Sequence, residues 1–434
     1  MNPEDLSLVE AAAAIRAGEL SPVQYVLSLF TRMSEVELRV QAWTTVNHED
    51  VLAEAKKCET EGQKKQFRGP LHGIPVGIKD IFYTKGLRTT MGSTIFENFV
   101  PGYDAHAVKR LKEAGAIVLG KSVTTMFANL DPGPTRNPWN LAHTPGGSSS
   151  GSAAAVAARM CPAAIGSQTV GSVGRPGAFN GIVSMVPTQE RISRQGVFPL
   201  AWSLDHVGMF GRSVADVELM LDSMTESPVR KLPERRLFRI GVVRDFFYEN
   251  ATPEARSLND TLAGRLAESG FQVEEARLPA IFDLAQSTLR TILRAEVASV
   301  HERLFAAQSE SYGEKIRAVI ETGMLLEASD YIRARRVRRH YQRDMARLFD
   351  KFDVLLTPAA RGTAPEGIDT TGDPVMNGPW TLANFPTMTV PHALGSNGLP
   401  IGAQLSAPPL QEGLLLEIAK AVESVAGFTD RPDL

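Results

Sequence analysis

The sequence predicts an α/β protein built as one large domain with a helical insertion, and three observations carry that expectation. Short strand-like runs alternate with helical patterns: Ile74, Val76 and Ile78 recur at every second position, residues 104–114 follow a helical period with Ala107, Val108 and Leu111 inward, and Ile117-Val118-Leu119 follows at once. No internal repeat or low-complexity linker divides the 434 residues, although the character of the chain changes between Pro228 and Pro233. Hydrophobic residues make up 43% of the chain, enough for a large core.

Taken in order, Ser7 and Glu10 read as a capping box, the hydroxyl serving an early helix N–H while the carboxylate reaches back. Ser21-Pro22-Val23-Gln24 repeats the device, with proline at the first helical position, and Val26, Leu27, Leu29 and Phe30 form the packing stripe of that helix. Further on, residues 238–243 read as a strand, 253–269 as a helix, 271–274 as a strand, and the next hundred or so residues as mainly helical. Strand-like runs return at 352–358, 386–391 and 399–405, and residues 411–425 make a last helix with Leu414, Leu415, Ile418 and Ala419 inward.

Composition excludes several classes of function. With 46 basic against 49 acidic residues, the charge balance implies no polyanion partner. The run Arg333-Ala334-Arg335-Arg336-Val337-Arg338-Arg339-His340 reads as a solvated helix face, since no aromatic residues interleave it as a nucleic-acid site would require. Eight scattered histidines give no metal-binding spacing, so neither a metal nor a cofactor is expected. Cys58 and Cys161 show no pairing pattern, and neither a leader-like start nor a long apolar run is present. A cytoplasmic protein without membrane contact is the expectation.

The stretch from His143 to Pro176 is a poor core segment. Gly146-Gly147-Ser148-Ser149-Ser150-Gly151-Ser152 places adjacent hydroxyls between glycines, an alanine-rich helix follows, and Thr169-Val170-Gly171-Ser172 makes a second corner. Such a segment is either a flexible loop before an ordinary helix or the frame of a reacting group. Upstream, Lys79 ends an apolar strand; it is either a desolvated base with a lowered pKa or a solvent lysine paired with Asp80. Gly120-Lys121-Ser122 lacks the earlier glycines of a phosphate loop. Asp205 and His206 invite a Ser-His-Asp triad with Ser172, but adjacent residues on a strand point to opposite faces.

Together, Gly77-Ile78-Lys79-Asp80, the glycine-serine run and Thr169-Val170-Gly171-Ser172 closely resemble the amidase signature family. Thr135-Arg136-Asn137-Pro138-Trp139-Asn140, residues 353–358 and Gly402-Ala403-Gln404-Leu405 extend the resemblance over essentially the whole chain. It implies a central mixed twisted sheet flanked by helices, in one domain over residues 1–434. It also implies Ser172 as nucleophile, Ser148 as a relay serine behind a cis peptide bond, and Lys79 as base. The backbone N–H groups of Thr169, Val170, Gly171 and Ser172 would form the oxyanion hole. Three positions depart from the family pattern: Gln168 stands where aspartate is frequent, Val170 where glycine is frequent, and Gly174 where arginine is common.

Arg175, beside Gly174, is either a structural ion-pair partner or an orienting group for a substrate carboxylate. The variable residues 281–350 and the loop 361–380 are expected to supply pocket wall, where Met324, Leu325, Leu326 and Trp380 either line an apolar site or are plain core. The reaction expected is hydrolysis of a small carboxamide by a stand-alone enzyme with no nucleic acid involved; its oligomeric state stays open, with a homodimer one option because family members are often dimers. Three alternatives stand beside it: a hydrolase of allophanate-like or biuret-like ureido compounds, the amidase subunit of a glutamine-dependent tRNA amidotransferase, and a catalytically silent scaffold.

Overall fold

The computed structural model describes residues 2–227 and 237–434, so the change of character at 228–233 lies outside the described residues. In chain order the strands are β1 (Trp43–Thr45), β2 (Pro75–Lys79), β3 (Ile117–Ser122), β4 (Ala163–Gln168), β5 (Val183–Val186), β6 (His206–Gly211), β7 (Arg239–Val243), β8 (Gln272–Ala276), β9 (Val354–Pro358), β10 (Thr387–Leu394) and β11 (Pro400–Ser406). They form one 11-stranded sheet in the order β1-β3-β2-β4-β6-β5-β10-β11-β9-β7-β8. β2 runs parallel to β3 and β4, and β7 parallel to β8 and β9. The remaining pairs are antiparallel, so the sheet is mixed, as the resemblance implies.

Local chemistry explains where the elements begin. Both capping boxes are present, at the helices Leu8–Ala17 and Pro22–Val40, with Ser7 paired to Glu10 and Ser21 to Gln24. The alanine-rich segment forms the helix Ser150–Ala157, every residue of which is buried. Small side chains allow that helix to lie closely against β4 and β2 with no polar face toward solvent. Both faces of β2 are covered, so a lysine at its end has no route to water.

The insertion between β8 and β9 consists of the helices Ala285–Gln308, Glu314–Met324 and Ala328–Ala346. The basic run on the last of these is only partly a solvated face. Arg338 is buried and donates to the carbonyls of Leu382 and Ser203, and Arg335 pairs with the buried Glu296. Lys121 lies inside β3, fully buried, and donates to the Phe82 carbonyl and the Thr89 hydroxyl, with Asp80 at 3.5 Å. It anchors the turn after β2 rather than a phosphate.

Candidate active site

The ends of β2 and β4 and the entry to the helix Ser150–Ala157 bring three of the side chains singled out above into one region. Lys79 Nζ donates to Ser148 Oγ at 2.7 Å and to Ser167 Oγ at 2.8 Å. Burial pushes its pKa well below the usual lysine range, while the nearby Asp205 charge acts the other way. Of the two readings of Lys79, the structure has the desolvated one, since Asp80 instead faces Lys121 and Thr90. The Gly147–Ser148 peptide is cis.

Ser172 lies on the turn between β4 and the short helix Gly174–Phe179, at 9% exposure, just enough to meet a cavity. That cavity has a volume of about 510 Å³ and is walled by Leu289, Leu293, Val319 and Val375 beside Ser172 and Arg175. None of the N–H groups of Thr169, Val170, Gly171 and Ser172 donates to a protein acceptor among the described residues. Such a row of free donors beside the Ser172 hydroxyl suits a developing oxyanion.

Two of the departures from the family pattern, Gln168 and Gly174, meet in one turn. Gln168 Oε1 accepts from the N–H groups of Val173 and Gly174, both at 3.0 Å, so the amide oxygen shapes the turn that presents Ser172. At Gly174 a Cβ would lie 2.9 Å from Asn377 Nδ2, and at Gly171 it would lie 2.8 Å from Pro374 Cβ, so both positions are packed against neighbours. Gln404 accepts from Asn377 at 2.8 Å and donates to the Met376 carbonyl, which fixes the wall facing the turn. The turn at Asn137-Pro138-Trp139-Asn140 fastens the start of the glycine-serine run through Asn137 Nδ2, which donates to the Thr144 and Phe179 carbonyls.

Several expectations need correction. Trp380 is fully buried, stacked on Phe247 with ring centroids 5.1 Å apart, and does not line the cavity. Met324 and Leu325 are exposed, and neither they nor Leu326 line it either; Leu289, Leu293 and Val319 from the same insertion do. His206 Nδ1 donates to the Leu204 carbonyl, and burial pushes its pKa down to about 4; no hydrogen bond links it to Ser172 or Asp205 among the described residues. The Asp205 carboxylate accepts instead from Thr169 Oγ1 and from the N–H groups of Leu200 and Ala201.

Sequence reasoning missed Ser167, the second partner of Lys79. Nothing near Ser167 in the sequence marks the contact, which arises because β4 lies beside β2 in the sheet.

The sheet and the side chains gathered at it are consistent with a class of hydrolases that cleave C–N bonds with serine and lysine. The chain belongs to the amidase family, whose model, described as Amidase, matches residues 24–416. It is thereby a member of a family of catalytically active hydrolases. Among its relatives, the A-type subunit of the glutamyl-tRNA(Gln) amidotransferase of Geobacter metallireducens is 34% identical, covering 98% of this chain and 98% of its own. The subunit of the same name from Roseiflexus sp. is 35% identical, covering 99% and 98%.

Among solved structures, one described as a vestigial protein complex revealing the evolutionary origins of an s-triazine catabolic enzyme superimposes with a TM-score of 0.90 at 28% identity. It covers 99% of this chain and 100% of its own. The peptide amidase of Stenotrophomonas maltophilia superimposes with a TM-score of 0.86 at 28% identity, covering 99% and 98%.

These relatives overturn the expected partners. Proteins similar to this chain over nearly its whole length are named as subunits of a glutamyl-tRNA(Gln) amidotransferase, so a self-sufficient homodimer with a small-molecule amide and no nucleic acid is not the form they support. Among the described residues, no helix is long and apolar enough to cross a membrane.

Proposed function

We propose that this chain is an amidase subunit of the glutamyl-tRNA(Gln) amidotransferase kind, which cleaves a carboxamide through an acyl-enzyme on Ser172 and releases ammonia to partner subunits. The observation that carries the chemistry is the fully buried Lys79 hydrogen-bonded to Ser148. A neutral lysine accepts a proton from Ser148, which draws one from Ser172 as that hydroxyl attacks the carbonyl carbon. No hydrogen bond joins the Ser148 and Ser172 hydroxyls among the described residues, so this link closes when substrate enters.

Negative charge then grows on the carbonyl oxygen in front of the N–H groups of residues 169–172, which need no reorganisation to receive it. The recharged Ser148 protonates the leaving nitrogen, the C–N bond breaks, and water attacks the acyl-enzyme by the reverse relay. Residues 281–350 contribute pocket wall, through Leu289, Leu293 and Val319. A cytoplasmic setting suits the two buried free cysteines.

Support for the subunit reading comes from the 31–35% identity to these amidotransferase subunits over nearly full length. The test is co-expression with candidate partner subunits from the same genome, followed by size exclusion and an assay of ammonia release. The subunit reading expects a stable complex whose ammonia release exceeds that of the chain alone and stops with Ser172→Ala; no complex with any candidate removes it. A second reading, hydrolysis of a ureido compound, is favoured by the likeness to the s-triazine-related complex. It expects turnover of biuret-like compounds in preference to carboxamides.

A further inference from the structure

The helix Ala328–Ala346 forms one wall of a groove of about 610 Å³ that shares no lining residue with the cavity at Ser172. Its size is that of a binding cleft. Arg335, Arg336, Arg338 and Arg339 line it, and no Asp or Glu does among the described residues.

The four guanidiniums differ in what already holds them. Arg335 pairs with Glu296 at 3.3 Å and donates to the Tyr331 hydroxyl. Glu296 is 1% exposed, and its other oxygen accepts from the Ser203 N–H, so nothing of it is left for the neighbouring arginines. Arg338 is 5% exposed and fixed in place, donating through Nε to the Leu382 carbonyl at 3.1 Å and through Nη1 to the Ser203 carbonyl at 2.7 Å. Those acceptors are neutral, and no carboxylate is bonded to Arg338 among the described residues. Arg336 and Arg339 are exposed and have no acidic partner among them either. The acids of their own helix are taken, Asp330 by Arg333 and Asp344 by Arg343. Spacings of three and four residues bring these like charges together on one helix face, which is unfavourable until an anion arrives.

Two observations say what kind of anion fits. The chain carries 46 basic against 49 acidic residues, so no excess of positive charge spreads over the molecule, whereas a nucleic-acid backbone is bound by a broad basic surface. Apolar side chains also stand open beside the arginines. Ile332, on the groove wall, is 51% exposed, and Leu325, in the turn that leads into the helix, is 84% exposed. A phosphate backbone gains nothing from such residues. An acidic protein segment with an apolar stripe covers them while its carboxylates meet the guanidinium forks.

We propose that this groove docks an acidic, amphipathic segment of a partner subunit, whose carboxylates bind Arg336, Arg338 and Arg339 and whose apolar side chains cover Ile332. The proposal rests on the chain working as a subunit of a larger enzyme, and it places the contact on a surface apart from the nucleophile.

The test is co-expression with candidate partner subunits from the same genome, comparing the parent with Arg336→Glu/Arg339→Glu protein. Both substitutions are on the surface, so the Tm of the isolated chain should stay close to that of the parent. The complex is expected to weaken at least about 10-fold in the double variant, and the parent complex to loosen as salt is added. A complex as tight as that of the parent overturns the docking site and leaves the subunit reading standing. No complex between the parent and any candidate removes the subunit reading, and the proposal with it.

Should the double variant fail to fold, Arg339→Lys carries the test, because it keeps the charge and supplies an amine. Carbodiimide treatment of that complex should join position 339 to an Asp or Glu of the partner, as read by peptide mass spectrometry; joining only at other lysines overturns the proposal. Total tRNA gives the contrast. Binding of tRNA by the parent that is lost in the double variant, while the subunit complex is unchanged, assigns the groove to RNA and overturns the acidic segment.

Discussion

Lys79 is where burial becomes reactivity. Its ammonium form loses solvation and gains only two serine hydroxyls and the weaker pull of the Asp205 charge, so the neutral form is favoured well below the ordinary value of about 10.4. In the proposed mechanism the neutral form is the base, so kcat/KM is expected to rise with pH through that lowered value and to level off below the ordinary lysine range. Arginine cannot lose its proton in this range, so Lys79→Arg should reduce kcat by about 100-fold or more at every pH. The same burial costs stability. Between the lowered folded pKa and the ordinary one, the unfolded chain binds more protons than the folded chain, so stability rises with pH across that window. Lys79→Met should therefore raise Tm at neutral pH while removing activity, and a lower Tm would contradict this view of the residue. Lys121, held down to about 8 by burial, adds a second window of the same sign between about pH 8 and 10.4.

The turn from Gln168 to Gly174 is the element on which the site depends. Gln168→Ala removes the acceptor for two N–H groups, and the expected cost is about 1–3 kcal/mol in thermal or denaturant unfolding, with kcat lowered because Ser172 is no longer held. Gly174→Arg, which restores the residue common in the family, should destabilise the fold here, since even its Cβ lies within 2.9 Å of Asn377; a variant as stable as the parent would show that this turn can shift. The same turn marks the limit of what the sequence reveals. Ser7 and Ser21 announce their helices because a capping box is complete within four residues. β4 does not announce itself: Ala-Ala-Ile-Gly-Ser-Gln has no alternation and a single bulky β-branched residue, Ile165, and it is a strand because β2 and β6 pair with its two edges. Three-residue β1 is too short to display an alternation. The catalytic candidates were legible through the family resemblance that several motifs in order carry, whereas the roles of Ser167 and Trp380 depend on neighbours distant in sequence. Trp380 packs on Phe247, more than a hundred residues away in the chain, and nothing near either residue records that contact.

Across the whole molecule, the mixed sheet places β2 and β4 side by side, so that Lys79 and the Ser172 turn emerge at neighbouring strand ends. The insertion of three helices between β8 and β9 then covers the opening and shapes the cavity. The alignment with the Geobacter metallireducens protein spans 476 positions, more than the 434 residues of this chain, so that relative carries internal segments absent here. Those missing segments are the natural place for differences in substrate or partner contact. If the chain works within a multi-subunit enzyme, its ammonia release alone should be weaker than in the complex, and comparing isolated and co-purified protein on the same amide checks this.

The most direct test of the central claim is intact and peptide mass spectrometry after reaction with a serine-directed phosphonate. One adduct per chain, mapped to Ser172, slowed strongly by Lys79→Met and absent in Ser172→Ala, is the expected result. An adduct that maps elsewhere, or that forms equally fast in Ser172→Ala, would contradict the acyl-enzyme mechanism.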